Sequence, residues 1–220
     1  MGRSEAKRGY DDACGTAHGL ELIGERWSLL VLRELMLGPR RFSELRGDLP
    51  GISANVLTQR LTELEAKGLV RRRRLPPPAS VQVYEATEWG LEAEPIVQTL
   101  GRWAARSPRH DPTLPISGVS ILLSMRTMID LARARDLDAR IDFRFGDDLY
   151  TSHLHSGGID IARGEHPSPD LSITADPQAL AAVMYGKAPY DLIQWSGDRA
   201  LLDRFIDLFH LPEKAAVPGH

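Results

Sequence analysis

Apolar residues along this chain change period several times, and the changes outline its elements. They recur at helical spacing over residues 16–24 and again over 27–37. In the second run Trp27, Leu30, Val31 and Leu35 share a face broken only by Glu34, and Gly38-Pro39 ends it. Phe42-Ser43-Glu44-Leu45-Arg46 predicts a helix of barely two turns. Pro50-Gly51 turns the chain, and Ser53 is placed to cap a helix over about 53–66. In that helix Leu57, Leu61 and Leu64 fall on one face and Asn55, Gln59 and Thr62 on the other. Past Gly68 the period drops to two. A strand over Leu69–Leu75, a turn over Pro76–Ser80 and a strand over Val81–Ala86 predict a hairpin. Residues 87–106 return to helical spacing, with Thr87 as the cap and Leu91, Ile96, Leu100 and Trp103 as apolar material. Pro95 there implies a kink or a late start.

The second half reads as helix, strands, then helices. A helical stretch over 118–134 carries Val119, Leu122, Leu123, Met125 and Met128. Residues 139–145 then alternate strictly, with Ile141, Phe143 and Phe145 on one face and Asp142 and Arg144 on the other. Gly146-Asp147-Asp148 and Ser156-Gly157-Gly158 predict turns into strands over 149–154 and 159–162, and Leu171–Thr174 adds a fourth. Helices are expected at about 177–186 and 198–210. The expected class is α+β, with an antiparallel sheet covered on one face and wet on the other.

Three prolines in the polar run Ser107–Pro115 cannot continue a helix, so the boundary is placed there. Domains are expected over 13–107 and 116–212, with loose ends over 1–12 and 213–220. A hydrophobic content of 42% supports ordered cores rather than wholesale disorder. No long apolar run or secretion-type start is visible, so a cytoplasmic protein without membrane contact is expected. The single cysteine, Cys14, excludes an internal disulfide and a multi-cysteine zinc cluster. The net charge of -3 is unevenly spread: residues 1–110 carry 17 basic against 14 acidic side chains, and the rest carry 10 against 16. Any surface that meets a polyanion therefore belongs to the first half.

A short helix, a tight turn and a second helix with uncharged hydrogen-bonding residues outward suit insertion into a major groove. Asn and Gln pair with adenine edges, and Ser or Thr bonds to bases or phosphates. Taken alone, Asn55, Gln59 and Thr62 equally suit a plain solvated face. The hairpin one glycine later shifts the balance, because Arg71, Arg72, Arg73 and Arg74 repel one another unless anions compensate them. Alternation sends about half of them outward to phosphate and the others to acidic neighbours such as Glu63 or Glu65. The apolar helix at 87–106 needs a partner, either its copy in a two-fold dimer or the rest of its own chain.

Residues 14–106 resemble the HxlR family of winged helix-turn-helix regulators, relatives of the MarR group. The likeness runs through Leu22–Leu30, Gly38-Pro39-Arg40-Arg41-Phe42-Ser43-Glu44-Leu45, Pro50–Leu61, Glu65–Val70 and Leu100-Gly101-Arg102-Trp103. It implies a homodimer on double-stranded DNA, a recognition helix at 53–66 and a wing around 71–84. Within these motifs Arg40, Arg41, Ser53, Thr58 and Arg60 join Asn55, Gln59, Thr62 and the four wing arginines as candidate DNA contacts. Some family members sense oxidants through a cysteine near the N-terminus, where Cys14 stands. Here Gly15-Thr16-Ala17 follows it in place of the usual proline-containing continuation.

Residues 139–210 resemble the sterol-carrier-protein-like fold, through Pro169–Asp176, the helix before Gly186-Lys187, and Trp195-Ser196-Gly197-Asp198. That fold encloses an apolar tunnel, which implies a small hydrophobic or aromatic effector. Phe143, Phe145, Met184, Tyr185, Trp195, Phe205 and Phe209 are the candidate lining, although each alone also reads as core. His153 and His155 share a strand face without a persuasive third metal ligand, His166 being the nearest candidate. No cofactor is expected, and no phosphate-binding loop, dinucleotide fingerprint or hydrolase motif is present. The expectation is a transcriptional regulator, a repressor, rather than an enzyme. A ligand carrier or small enzyme built on the second domain, and a regulator whose second domain is only structural, are the competing readings.

Overall fold

The leucines that set the helical period close the first of two units. The computed structural model describes residues 9–216, and its chain divides into Met1–Glu92 and Ala93–His220. Residues 1–8 and 217–220, part of the ends expected to be loose, lie outside the described residues.

In the first unit α1 (Gly15–Ile23), α2 (Ser28–Glu34), α3 (Phe42–Asp48) and α4 (Ala54–Ala66) precede a two-stranded hairpin. Its strands are β1 (Val70–Arg74) and β2 (Gln82–Ala86), and the short α5 (Glu88–Leu91) follows. Val31, Leu32, Leu45, Leu57 and Leu64 are fully enclosed, so α2, α3 and α4 share one core. Helix α4 ends where Gly68 adopts a φ of 75°, a region most side chains avoid. The amide of Leu69 reaches Leu64 O at 2.9 Å and that of Gly68 reaches Glu65 O at 3.0 Å. These two bonds satisfy end carbonyls and turn the chain straight into β1. The hairpin pairs Arg71 with Glu85 and Arg74 with Gln82. Its far side is tied by Arg40, whose amide and carbonyl both bond the backbone of Tyr84, at 2.9 and 2.8 Å.

The second unit begins with α6 (Glu94–Ala105), which starts late, with Pro95 in its first turn. It continues through α7 (Gly118–Met128), α8 (Leu131–Ala134), β3 (Ala139–Phe145), β4 (Asp148–His155), β5 (Gly158–Arg163) and β6 (Leu171–Thr174). Then follow α9 (Pro177–Gly186), a 3-10 turn (Tyr190–Leu192), β7 (Gln194–Gly197) and α10 (Arg199–Ile206). Helix α6 packs against α7: Arg126 grips Glu94 at 2.7 and 2.9 Å, and Arg102 donates to Thr127 O at 3.0 Å. The division therefore falls ahead of the proline-rich run expected to mark it, and residues 107–115 lie within the second unit. Lys214 donates to the carbonyls of Ala105, Ser107 and His110 at 3.0 to 3.3 Å, so the described end of the chain is fastened rather than loose.

The sheet order is β5-β4-β3-β6-β7. The expected antiparallel sheet is corrected to a mixed one, because β6 runs parallel to β3. The cause is the connection 164–170, which crosses the face that alternation left polar. His166 N donates to Asp142 at 2.9 Å, Glu165 pairs with Arg144 at 2.6 Å, and Asp170 accepts from Arg140 N at 2.8 Å. The buried face carries Ile141, Phe143 and Phe145, with Phe143 at 6.0 Å from Phe205 and Phe205 at 5.0 Å edge-on to Phe209.

Replacing Phe205 by alanine is expected to destabilise the second unit by about 3–5 kcal/mol, since Phe205 is fully enclosed and joins α10 to the sheet. Chemical denaturation followed by aromatic fluorescence or circular dichroism checks this, and a loss below about 1 kcal/mol contradicts it.

Candidate nucleic-acid interface

Helix α4 starts at Ser53, whose hydroxyl accepts from Val56 N at 3.3 Å. Its leucines point inward as spaced, and Asn55, Thr58, Gln59 and Thr62 are exposed. The hydroxyl of Thr58 donates to Ala54 O at 2.9 Å, which leaves its oxygen as an outward acceptor. Gln59 donates to Glu63 at 3.0 Å.

Arg60 departs from expectation. It lies three residues from both Leu57 and Glu63 and four from Leu64, on the border of the inward face, and only 6% of it is exposed. Its guanidinium meets Glu25 at 3.1 Å and Glu63 at 3.2 Å, which offsets the cost of removing the charge from water. It is therefore withdrawn from the DNA-facing set and assigned to anchoring α4 on the connection before α2. Lys67 adds a second anchor, donating to Glu21 O and Leu22 O at 2.7 and 2.9 Å at the carbonyl end of α1. Arg40 is withdrawn for the same reason. It is 3% exposed and ion-paired with Asp48, with Glu44 also near. Arg41 stays exposed at the start of α3, where its amide donates to Glu44 at 2.8 Å.

All four wing arginines are exposed, more than the half that alternation suggests. Arg71 and Arg73, two apart on one strand face, share the single carboxylate of Glu85 at 2.6 and 2.9 Å. Arg72 reaches back to Glu65 on α4 at 2.5 Å, and that guanidinium holds the Glu65 carboxyl below the usual carboxylate range. Arg74 donates to Ser80 O at 3.2 Å. Two carboxylates thus hold three guanidiniums, and each guanidinium keeps donors to spare for phosphate. In the sequence Arg60 borders the leucine face of α4 and Arg40 follows a glycine-proline turn, and neither position by itself separates a buried arginine from an exposed one such as Arg41.

Cys14 stands at the N-cap position of α1 and is exposed, and the amides of Thr16 and Ala17 with the Thr16 hydroxyl lower its thiol pKa. On α6, Ile96, Leu100 and Trp103 form an exposed stripe, Trp103 being 71% accessible.

In the second unit Phe143, Phe145, Phe205 and Phe209 are brought together as a buried cluster, and Met184 is fully buried on α9. Tyr185 is half-buried with its hydroxyl 2.7 Å from Ser124 Oγ, and desolvation pushes its pKa up to about 12 against the opposing effect of that bond. Trp195 lies on β7 with the Arg199 guanidinium 5.8 Å from its ring centre. A cavity of about 460 Å³ opens nearby, lined by Val183, Lys187, Ala188, Pro189, Tyr190, Arg199, Ile206 and Asp207, and none of the seven expected residues lines it. His153 and His155 do share a face, with rings 5.5 Å apart, but each turns to its own aspartate, Asp138 at 2.9 Å and Asp160 at 3.4 Å. Among the described residues no group of three metal-binding side chains forms, and no helix is long and apolar enough to cross a membrane.

Residues 22–111 match the HxlR-like helix-turn-helix family model. The chain is 44% identical over 94 residues to the HTH-type transcriptional regulator YkvN of Bacillus subtilis, covering 41% of this chain and 77% of that protein. It is 39% identical over 83 residues to the regulator YodB of the same organism, covering 38% and 74%. Among solved structures, the reduced form of YodB shares 33% identity over 46% of this chain and 100% of that chain, with a TM-score of 0.40. With the family match over residues 22–111 and the sequence identity to YkvN and YodB, the chain belongs to the HxlR-like helix-turn-helix family of transcriptional regulators.

Proposed function

We propose that the protein acts as a homodimeric repressor that inserts α4 of each copy into successive major grooves, with the hairpin arginines on the flanking phosphates. The observation that carries this reading is the outward face of α4, where Asn55, Gln59 and Thr62 stand exposed beside Arg71–Arg74. The stripe Ile96, Leu100 and Trp103 supplies apolar surface for the two-fold contact, since an exposed tryptophan of this degree on an amphipathic helix favours a partner.

The second unit is proposed as the sensing half, sterol-carrier-protein-like, for a small hydrophobic or aromatic molecule. Supporting this, the 460 Å³ cavity beside Tyr190 and the aromatic cluster share helix α10: Ile206 lines the cavity while its neighbour Phe205 lies in the cluster. A ligand there releases DNA only by binding the DNA-free arrangement more tightly. A second input is proposed at Cys14, on the strength of its exposure and its stabilised thiolate. Because the chain holds one cysteine, oxidation to a disulfide requires a second thiol from outside the chain.

Genomic-fragment selection by the purified protein, then challenge of the complex with aromatic and lipid-like compounds, tests the whole reading. Binding is expected to weaken steeply with salt. Arg74→Ala, which removes an arginine with no carboxylate partner among the described residues, is expected to reduce the log–log salt slope by about 1 and to weaken all sequences alike. Asn55→Ala is expected to relax base preference at one position by about 1–3 kcal/mol with the slope unchanged. Duplex binding that ignores salt and both substitutions sinks the proposal. For the dimer, Ile96→Glu with Trp103→Glu is expected to yield monomers in sedimentation velocity and to abolish cooperative two-site binding. A thiol at Cys14 that alkylates no faster than free cysteine near neutral pH contradicts the second input.

A further inference from the structure

One side chain on the exposed face of α4 is not free to turn. Gln59 Nε2 donates to Glu63 Oε1 at 3.0 Å, one helical turn further on. Glu63 is itself held by the buried Arg60, NH2 to Oε1 and NH1 to Oε2 both at 3.2 Å, and Arg60 NH1 is fixed by Glu25 at 3.1 Å. Four side chains thus connect the segment before α2 to the recognition face.

A carboxylate only accepts hydrogen bonds, so the nitrogen of the Gln59 amide, and not its oxygen, must face Glu63. One of its two N–H groups is engaged there. Among the described residues no other hydrogen bond is made by that amide, which leaves Oε1 and the second N–H of this exposed side chain open to an outside partner. An acceptor beside a donor matches adenine, whose N6 donates and N7 accepts in the major groove. Guanine offers two acceptors at the same edge and leaves Oε1 unmatched. A carboxylate on a face that meets a polyanion is unfavourable unless compensated, and Arg60 supplies that compensation from beneath.

We infer that Glu63 is a specificity-determining positioning residue, which holds the Gln59 amide in the orientation that reads adenine in duplex DNA. This rests on the DNA-binding reading above. The test is competition between the duplex selected by the unmodified chain and its single-base variants, for Gln59→Ala, Glu63→Gln, Glu63→Asp and the Gln59→Ala/Glu63→Gln double variant. Glu63→Gln carries donors and acceptors both, so the Gln59 amide is released to turn. Glu63→Asp keeps the charge for Arg60 but withdraws the carboxylate from Gln59, which covers the case in which loss of charge disturbs folding. The unmodified chain is expected to prefer adenine at one position per half-site. Each single variant is expected to reduce that preference by about fivefold or more, and the double variant no further than the singles. Mean affinity over the four bases is expected to hold or rise in Glu63→Gln.

The inference is overturned if both Glu63 variants keep the adenine preference while Gln59→Ala loses it, or if Gln59→Ala leaves every preference intact. Uniform weakening over all four bases in the Glu63 variants assigns Glu63 to the fold alone and also overturns it. A chain that binds duplex DNA with no sequence preference at all overturns this inference but leaves salt-dependent DNA binding standing. Absence of duplex binding overturns both.

Discussion

The guanidinium of Arg60 is the interaction on which the candidate interface depends. With only 7% of its side chain exposed it cannot rely on water, so it must be matched by carboxylates, and the two that match it come from different elements. Glu25 precedes α2 and Glu63 lies on α4 itself. The ion cluster therefore ties α4 to the segment before α2, and through Glu63 it also touches Gln59 on the exposed face. Leucine packing alone specifies a face and a depth but tolerates small rotations, since apolar contacts are non-directional. Directional bonds from Arg60 near the middle of α4 and Lys67 at its end remove that freedom.

From that anchor the remaining geometry of the unit follows in chain order. Gly68 turns the chain with two backbone bonds, β1 leaves at once, and Arg72 folds back to Glu65 on the helix it has just left. The same arginine run that looks self-repelling as sequence is held by sharing. Glu85 stands opposite Arg71 and bonds Arg73 as well. This arrangement leaves the hairpin cationic, with three arginines to two carboxylates, while ordering its side chains.

Periodicity made most of this legible. The cap at Ser53, the leucine face and the hairpin all follow from spacing and local chemistry, while Pro95 left a kink and a late start both open and the folded chain splits the stretch into α5 and α6. Arg40 and Arg60 did not follow from spacing, because charge type argues for the surface while their positions border apolar faces, and only the folded chain shows which consideration wins. The parallel pairing of β6 with β3 was hidden for another reason. A seven-residue link over 164–170 looks like a turn, and its crossing depends on long-range bonds to Asp142 and Arg144 that no local pattern announces. Strand β7 was missed because Gln194–Gly197 carries no buried alternation, whereas the equally short β6 does.

The aromatic residues of the second unit show the same limit from the other side. Spacing placed Phe143, Phe145, Phe205 and Phe209 inward correctly, yet inward position is shared by core and cavity wall, and period carries no information about the volume between them. In the folded chain neighbouring rings among them lie between 5.0 and 6.2 Å apart and are buried against one another. The cavity instead forms beside them, where Pro189 and the positive φ of Lys187 prevent α9 from continuing and leave its last turn unfilled against α10. The opening in this unit thus lies where a helix is forced to stop, and stop signals rather than apolar stripes are the places in its sequence where that space is written.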